Sequence, residues 1–264
     1  MDYSGYRHLA FSRVDRLLTM TLNRPSLLNA MDGAMHEETS RAFYDIGMDH
    51  DTDVVILTGA GTAFSAGGDI ASMREMYEKP ALFDTAILEA KKIVFGILDC
   101  EKPIICKMNG DAVGLGATIA LFSDVIFAAD HARIGDPHVR VGLAAGDGGA
   151  VIWPQLIGFA RAKEYLMTGD LIDAKSAAAM GLINHAVPAA ELDARVDAFA
   201  RKLAGGALKS IKWTKQTVNV ALKQLAHTMM DTCMAYEALS NRTEDHREAV
   251  EAFTEKRKPK FTGA

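Results

Sequence analysis

The chain has 264 residues, 49% of them hydrophobic and 24% charged, with a formal net charge of −5. That balance suits a globular protein with a sizeable core, and the charge excludes a general attraction to nucleic acid or to an anionic membrane surface. Cys100, Cys106 and Cys233 are too few and too scattered for a disulfide framework or a zinc site. With no run of 18 apolar residues and no charged-then-apolar leader at Met1, a soluble cytoplasmic protein is expected.

Residues 7–11 and 16–22 alternate in the manner of a β-hairpin turning across residues 12–15, and Asn23-Arg24-Pro25 ends the second run. Residues 31–48 form an amphipathic helical pattern through Met35, Thr39, Ala42, Phe43 and Ile46, with Asp32 as its N-cap. The β-branched run Val54-Val55-Ile56 predicts a buried strand over 53–58, followed by a small-residue turn, Ser65-Ala66-Gly67-Gly68-Asp69, that opens a helix. Residues 81–98 are helical up to Pro103. A strand over 103–108, a turn at Asn109-Gly110 and a helix over 115–122 follow, then extended segments at 125–129 and 133–135. After a glycine-rich bend, 139–149, helices are expected over 150–157, 160–167 and 174–180, with a short strand at 185–187. From residue 189 on the pattern is helical, so the division expected is a core of residues 1–200 and a helical region of residues 201–264.

Two turns carry chemical interest. Ala66, followed by two glycines, can present its backbone N–H bare at a helix start, and Leu115, between Gly114 and Gly116, can do the same. Two such donors converging on one carbonyl form an oxyanion hole. Each turn serves equally as an ordinary strand-turn-helix corner. Neither is a dinucleotide fingerprint, because Phe64 and Ile119 occupy the place of the third glycine.

The stretches AFSAGGDI (63–70) and NGDAVGLG (109–116) resemble the two oxyanion-loop signatures of the crotonase family, the enoyl-CoA hydratase/isomerase superfamily. Asn23-Arg24-Pro25, Asn29-Ala30, Ser123-Asp124-Val125, the bend at 142–149 and the ending AFTEKRKPKFTG (252–263) extend the resemblance over nearly the whole chain. It implies an α/β fold, a spiral of repeated ββα units with a C-terminal helical region that assembles trimers or hexamers. It also implies an acyl-CoA substrate, in which coenzyme A belongs to the thioester itself, with no metal or redox cofactor, no nucleic acid and no membrane partner. The positions it marks for substrate are Ala30, Gly67, Gly68, Asp69, Ile70 and Gly114, with the amides of Ala66 and Leu115 at the thioester oxygen.

The chain departs from the family at the two glutamates of a hydratase. Thr118 stands in place of the first and His138 in place of the second. A threonine hydroxyl is a poor base near neutral pH, whereas imidazole is a good one. His138 is therefore the expected proton shuttle. Asp147, in Gly146-Asp147-Gly148-Gly149, is either its partner or a turn former. Asp136 is placed to orient the imidazole, Asp69 reads as an N-cap, and Ser65 lacks a relay for a nucleophile.

The reaction expected is hydration or single-base isomerisation of an enoyl thioester. Thioester hydrolysis, decarboxylation and C–C cleavage use the same enolate, and a non-catalytic CoA-binding protein is the third possibility. Segments 72–90 and 144–153 are expected to line the acyl pocket as loops. Met229, Met230, Met234 and Leu239 form either a subunit face or this chain's own core.

Overall fold

The computed structural model describes residues 1–264. Strands β1 (Leu9–Val14) and β2 (Leu17–Leu22) form the hairpin, turned at Asp15 and Arg16 rather than at residues 12–15. Asp15 adopts a left-handed φ of 54°, which lets two residues suffice. Strands β3 (Val54–Gly59), β4 (Ile104–Met108), β6 (Val125–Ala129) and β9 (His185–Val187) continue the sheet in parallel, giving the order β1-β2-β3-β4-β6-β9. Every residue of β3 is buried, as its unbroken apolar run requires of a central parallel strand. Short strands β5 (Ala112–Val113), β7 (Arg133–Gly135) and β8 (Ile172–Asp173) make a second, three-stranded sheet.

Helices fill the crossovers. α1 (Gly33–Met48) starts where Asp32 accepts from the Met35 N–H at 2.9 Å, and it packs on α3 (Pro80–Asp99). The buried Lys102 ammonium closes the other end of α1, donating to the carbonyls of Ile46, Gly47 and Asp49. α2 (Ile70–Glu78) precedes α3, so the segment expected as a pocket loop is two helices. α4 (Leu115–Phe122) is buried along its whole length.

α5 (Gly149–Thr168) is broken at Gly158, φ 77° and ψ 160°, the interruption expected between residues 157 and 160. α6 (Ala174–Ala179) leads into β9, and α7 (Leu192–Ala204) crosses β2, β3, β4 and β6. The C-terminal region is α8 (Leu208–Ser240), which packs on α3 and α5, and α9 (Glu244–Thr254), which packs on α2. Met230 and Met234 of α8 are buried in this chain's own core, whereas Leu239 is exposed.

Candidate active site

The two glycine turns are laced together by the backbone. The Phe64 and Ser65 amides donate to the Asp111 carbonyl at 3.0 and 3.1 Å, and the Val113 amide returns a bond to Ser65 O at 2.9 Å. Gly67 has φ +83°, and a Cβ there would lie 2.7 Å from the Val113 carbonyl oxygen, so the turn accepts only glycine. Ser65 Oγ donates to the Asn29 carbonyl and meets no histidine relay, so it is structural.

The segment 28–31 then competes for the amides of the first turn. Ala66 N–H donates to the Leu28 carbonyl at 2.9 Å, Asp69 N–H donates to Met31 O at 3.0 Å, and Gly67 N–H reaches Ser65 Oγ at 3.2 Å. The Ala66 amide is thus taken by the protein itself and is not the free donor the sequence suggested. The amide left without a partner is that of Gly68, two residues on. In the second turn the expectation holds: Gly114 N–H donates to Gly135 O, and Leu115, the first residue of α4, has no intrahelical acceptor and no other.

Gly68 and Leu115 both line a cavity of about 310 Å³. His138, Asp147 and Glu237 reach the same space, while helices α2 and α3 supply much of its apolar wall through Met73, Met76, Leu82 and Phe83. Ala30, Gly67, Asp69, Ile70 and Gly114 are not on this wall. Asp69 caps α2 by accepting from Ala71 and Ser72 N–H, and Arg24 ties Asp69, Asp32 and the Ala30 carbonyl together. Gly114, with φ +54°, turns the chain so that the His138 ring fits over it, Cε1 lying 3.7 Å from where a Cβ would be.

His138 opens a short 3-10 turn directly after Asp136-Pro137. Its Nδ1 contacts Asp136 Oδ1, and its Nε2 lies 3.4 Å from Asp147 Oδ2. The other Asp147 oxygen accepts from Thr118 Oγ1 at 3.0 Å. Burial alone would favour neutral imidazole, but the Asp136 and Asp147 carboxylates override it and hold His138 well above its ordinary value. Burial raises the Asp147 carboxyl and Asp136 adds to this, against the pull of His138. The sequence left the distance between His138 and Asp147 open; the structure brings the two side chains together.

Glu237, on α8, was missed. No motif surrounds it, and a glutamate in a long helix reads as solvated surface. The only signal was its spacing from Met230 and Met234, which lets it share their buried side.

The chain matches the enoyl-CoA hydratase/isomerase family model over residues 13–264. It is 34% identical to the short-chain-enoyl-CoA hydratase of Clostridium acetobutylicum, over 92% of this chain and 93% of that protein. Among solved structures, an enoyl-CoA hydratase/isomerase from Mycobacterium paratuberculosis superposes with a TM-score of 0.89 at 34% identity, covering 92% of this chain and 97% of that one. A β-diketone hydrolase from the cyanobacterium Anabaena, bound to (S)-3-oxocyclohexyl acetic acid, superposes with a TM-score of 0.84 at 30% identity, covering 91% and 96%. With its two interlaced glycine turns, its sheet order and matches that span nearly the whole of each relative, the chain belongs to the enoyl-CoA hydratase/isomerase family.

Proposed function

We propose that this acyl-CoA enzyme of the hydratase/isomerase type moves a proton along an enoyl thioester, with the Gly68 and Leu115 amides holding the thioester oxygen while the His138–Asp147 pair carries the proton. One observation carries the reading: an imidazole bracketed by two carboxylates lines the same cavity as Gly68 and Leu115, the two residues whose amides are unpaired. Removing a proton alpha to the thioester puts negative charge on its oxygen, and two fixed N–H groups in a buried site lower that barrier. Asp147, ionised beside the imidazolium, accepts the proton, and His138, oriented by Asp136, stabilises each charge state of the pair. Thr118 is occupied in holding Asp147, so no second carboxylate stands where a hydratase of the family keeps its first glutamate. Double-bond isomerisation therefore fits better than hydration.

The reaction needs no metal. Ligand atoms of Asp136, His138 and Asp147 lie within 4.8 Å of one another, but each nitrogen of the imidazolium is already directed at a carboxylate. Coenzyme A enters only as part of the substrate. Three free cysteines accord with a cytoplasmic setting, and no helix is long and apolar enough to cross a membrane. A homotrimer or hexamer is supported by large exposed apolar side chains on α8 and α9, including Trp213, Val218, Tyr236, Leu239 and Phe253. Light scattering of the purified chain tests that assembly.

A second reading is hydrolytic C–C cleavage of a β-diketone; the Anabaena relative is named a β-diketone hydrolase. The observation favouring it is that neither lysine nor arginine lines the cavity, although coenzyme A is polyanionic. Incubation with 3-hexenoyl-CoA, 2-hexenoyl-CoA and a cyclic 1,3-diketone, followed by product analysis, separates the two. Isomerised thioester supports the first reading, and an opened diketone with inert thioesters replaces it by the second.

A further inference from the structure

Glu237 lies 6% exposed in the cavity wall, and its Oε2 has no hydrogen-bond partner. Helix α8 presses it against the bend that carries Asp147. Gly146 approaches so closely that a Cβ there would lie 2.6 Å from Glu237 Oε2 and 2.4 Å from the Cys233 carbonyl oxygen. A carboxylate buried without a partner is costly, so such a group is retained in its neutral form or put to use. We propose that Glu237 is a second proton-transfer group of this site, a neutral carboxylic acid that delivers a proton to the carbon skeleton of the enolate held at Gly68 and Leu115.

This rests on the enolate reading above, and it gives the site the separate acid that Thr118 does not supply. The His138–Asp147 pair breaks a C–H bond at Cα, and the electron pair moves toward the thioester oxygen. When it returns, the Glu237 O–H bond breaks and a C–H bond forms at Cγ, leaving a carboxylate. The proton on the His138–Asp147 pair then passes to Glu237, so one turnover restores every group without a co-reactant.

The titratable groups around Glu237 suit this. Asp136, just before the 3-10 turn, and His138, its first residue, face it, with Asp147 on the bend and Cys233 on its own helix. Across the cavity stand Asp32, Glu75 and the His36–Glu89 pair, the last joined at 2.6 Å. Burial, opposed by His138 and reinforced by Asp147 and Asp136, pushes the Glu237 carboxyl up to about 8. It is therefore protonated at neutral pH.

The test compares the full-length chain with Glu237→Gln in two ways. Infrared titration of the wild type is expected to show a protonated carboxyl at pH 7 that is lost with a midpoint near 8 and is absent from Glu237→Gln. In D2O, butanoyl-CoA exchanges its Cα proton through the His138–Asp147 pair alone, whereas 3-hexenoyl-CoA needs delivery at a second carbon. Glu237→Gln is expected to keep Cα exchange within about threefold while isomerisation kcat falls about 10²-fold with KM little changed, and Glu237→Asp to restore part of it. An ionised Glu237 at pH 7, or isomerisation by Glu237→Gln within about twofold of wild type, overturns the inference. A wild type inert toward both thioesters overturns the thioester reading instead, and the infrared titration then decides whether Glu237 is the neutral acid.

Discussion

His138 Nε2 and Asp147 Oδ2 stand 3.4 Å apart, and the opposite oxygen of Asp147 is held by Thr118 Oγ1 at 3.0 Å. Thr118 thus fixes the orientation of Asp147, the residue proposed to accept the proton. His138→Ala and Asp147→Asn are each expected to lower kcat by about 10²- to 10⁴-fold on 3-hexenoyl-CoA. The double variant should be little worse than either, because the two act as one unit. Thr118→Val should cost less and mainly move the pH profile. Steady-state kinetics across pH check all four.

The same pair is expected to set the acid limb of the rate. Asp147 must be ionised to accept a proton, and burial holds its carboxyl above the ordinary carboxylate range. Activity should therefore fall, as pH is lowered, at a pH above the usual aspartate value of 3.8. EDTA is expected to leave the profile unchanged, because the proposed steps use no metal.

Leu115 offers a clean deletion of one of the two proposed oxyanion donors. It is the first residue of α4, where proline's fixed φ and missing N–H are tolerated. Leu115→Pro is expected to preserve the fold and lower kcat by about 10²- to 10³-fold. Circular dichroism alongside the kinetics distinguishes loss of the donor from loss of the helix.

Asn29 braces the first turn from behind. It is fully buried at φ 56°, its Nδ2 donates to the carbonyls of Ala60, Ala63 and Phe64, and its Oδ1 accepts from the Arg24 amide. Asn29→Ala strands these groups and removes a residue type that tolerates the left-handed region, at a cost of roughly 2–4 kcal/mol. Denaturant unfolding measures the cost. The accompanying shift of Gly68 should reduce kcat as well.

Glu237 is expected to weaken the fold in a defined pH window. Its folded-state value of about 8 lies above the 4.5 of an ordinary glutamate, so the unfolded chain sheds the proton first as pH rises. The protonated group's stabilisation is complete below about 4.5 and lost through about 8. Glu237→Gln should raise Tm by a few degrees at pH 8 and change it little at pH 4, a difference scanning calorimetry reads.

The sequence by itself determined most of the elements. The amphipathic period of α1 and its Asp32 cap, the unbroken apolar run of β3 and the glycines before α4 are local signals, and each has a local cause in side-chain period or backbone freedom. Motif and position together also picked out His138. What tertiary structure alone decided is which amide stays free and which acid turns inward. The Ala66 and Gly68 amides lie in one small-residue turn, and only the pairing of residues 28–31 alongside it consumes the first, which the sequence favoured, and spares the second. Glu237 lies 90 residues beyond Asp147, and nothing near it in the chain announces a site. It became part of one because α8 folds back over the 144–148 bend, where loss of water, rather than any neighbour in sequence, gives its carboxyl a new charge state.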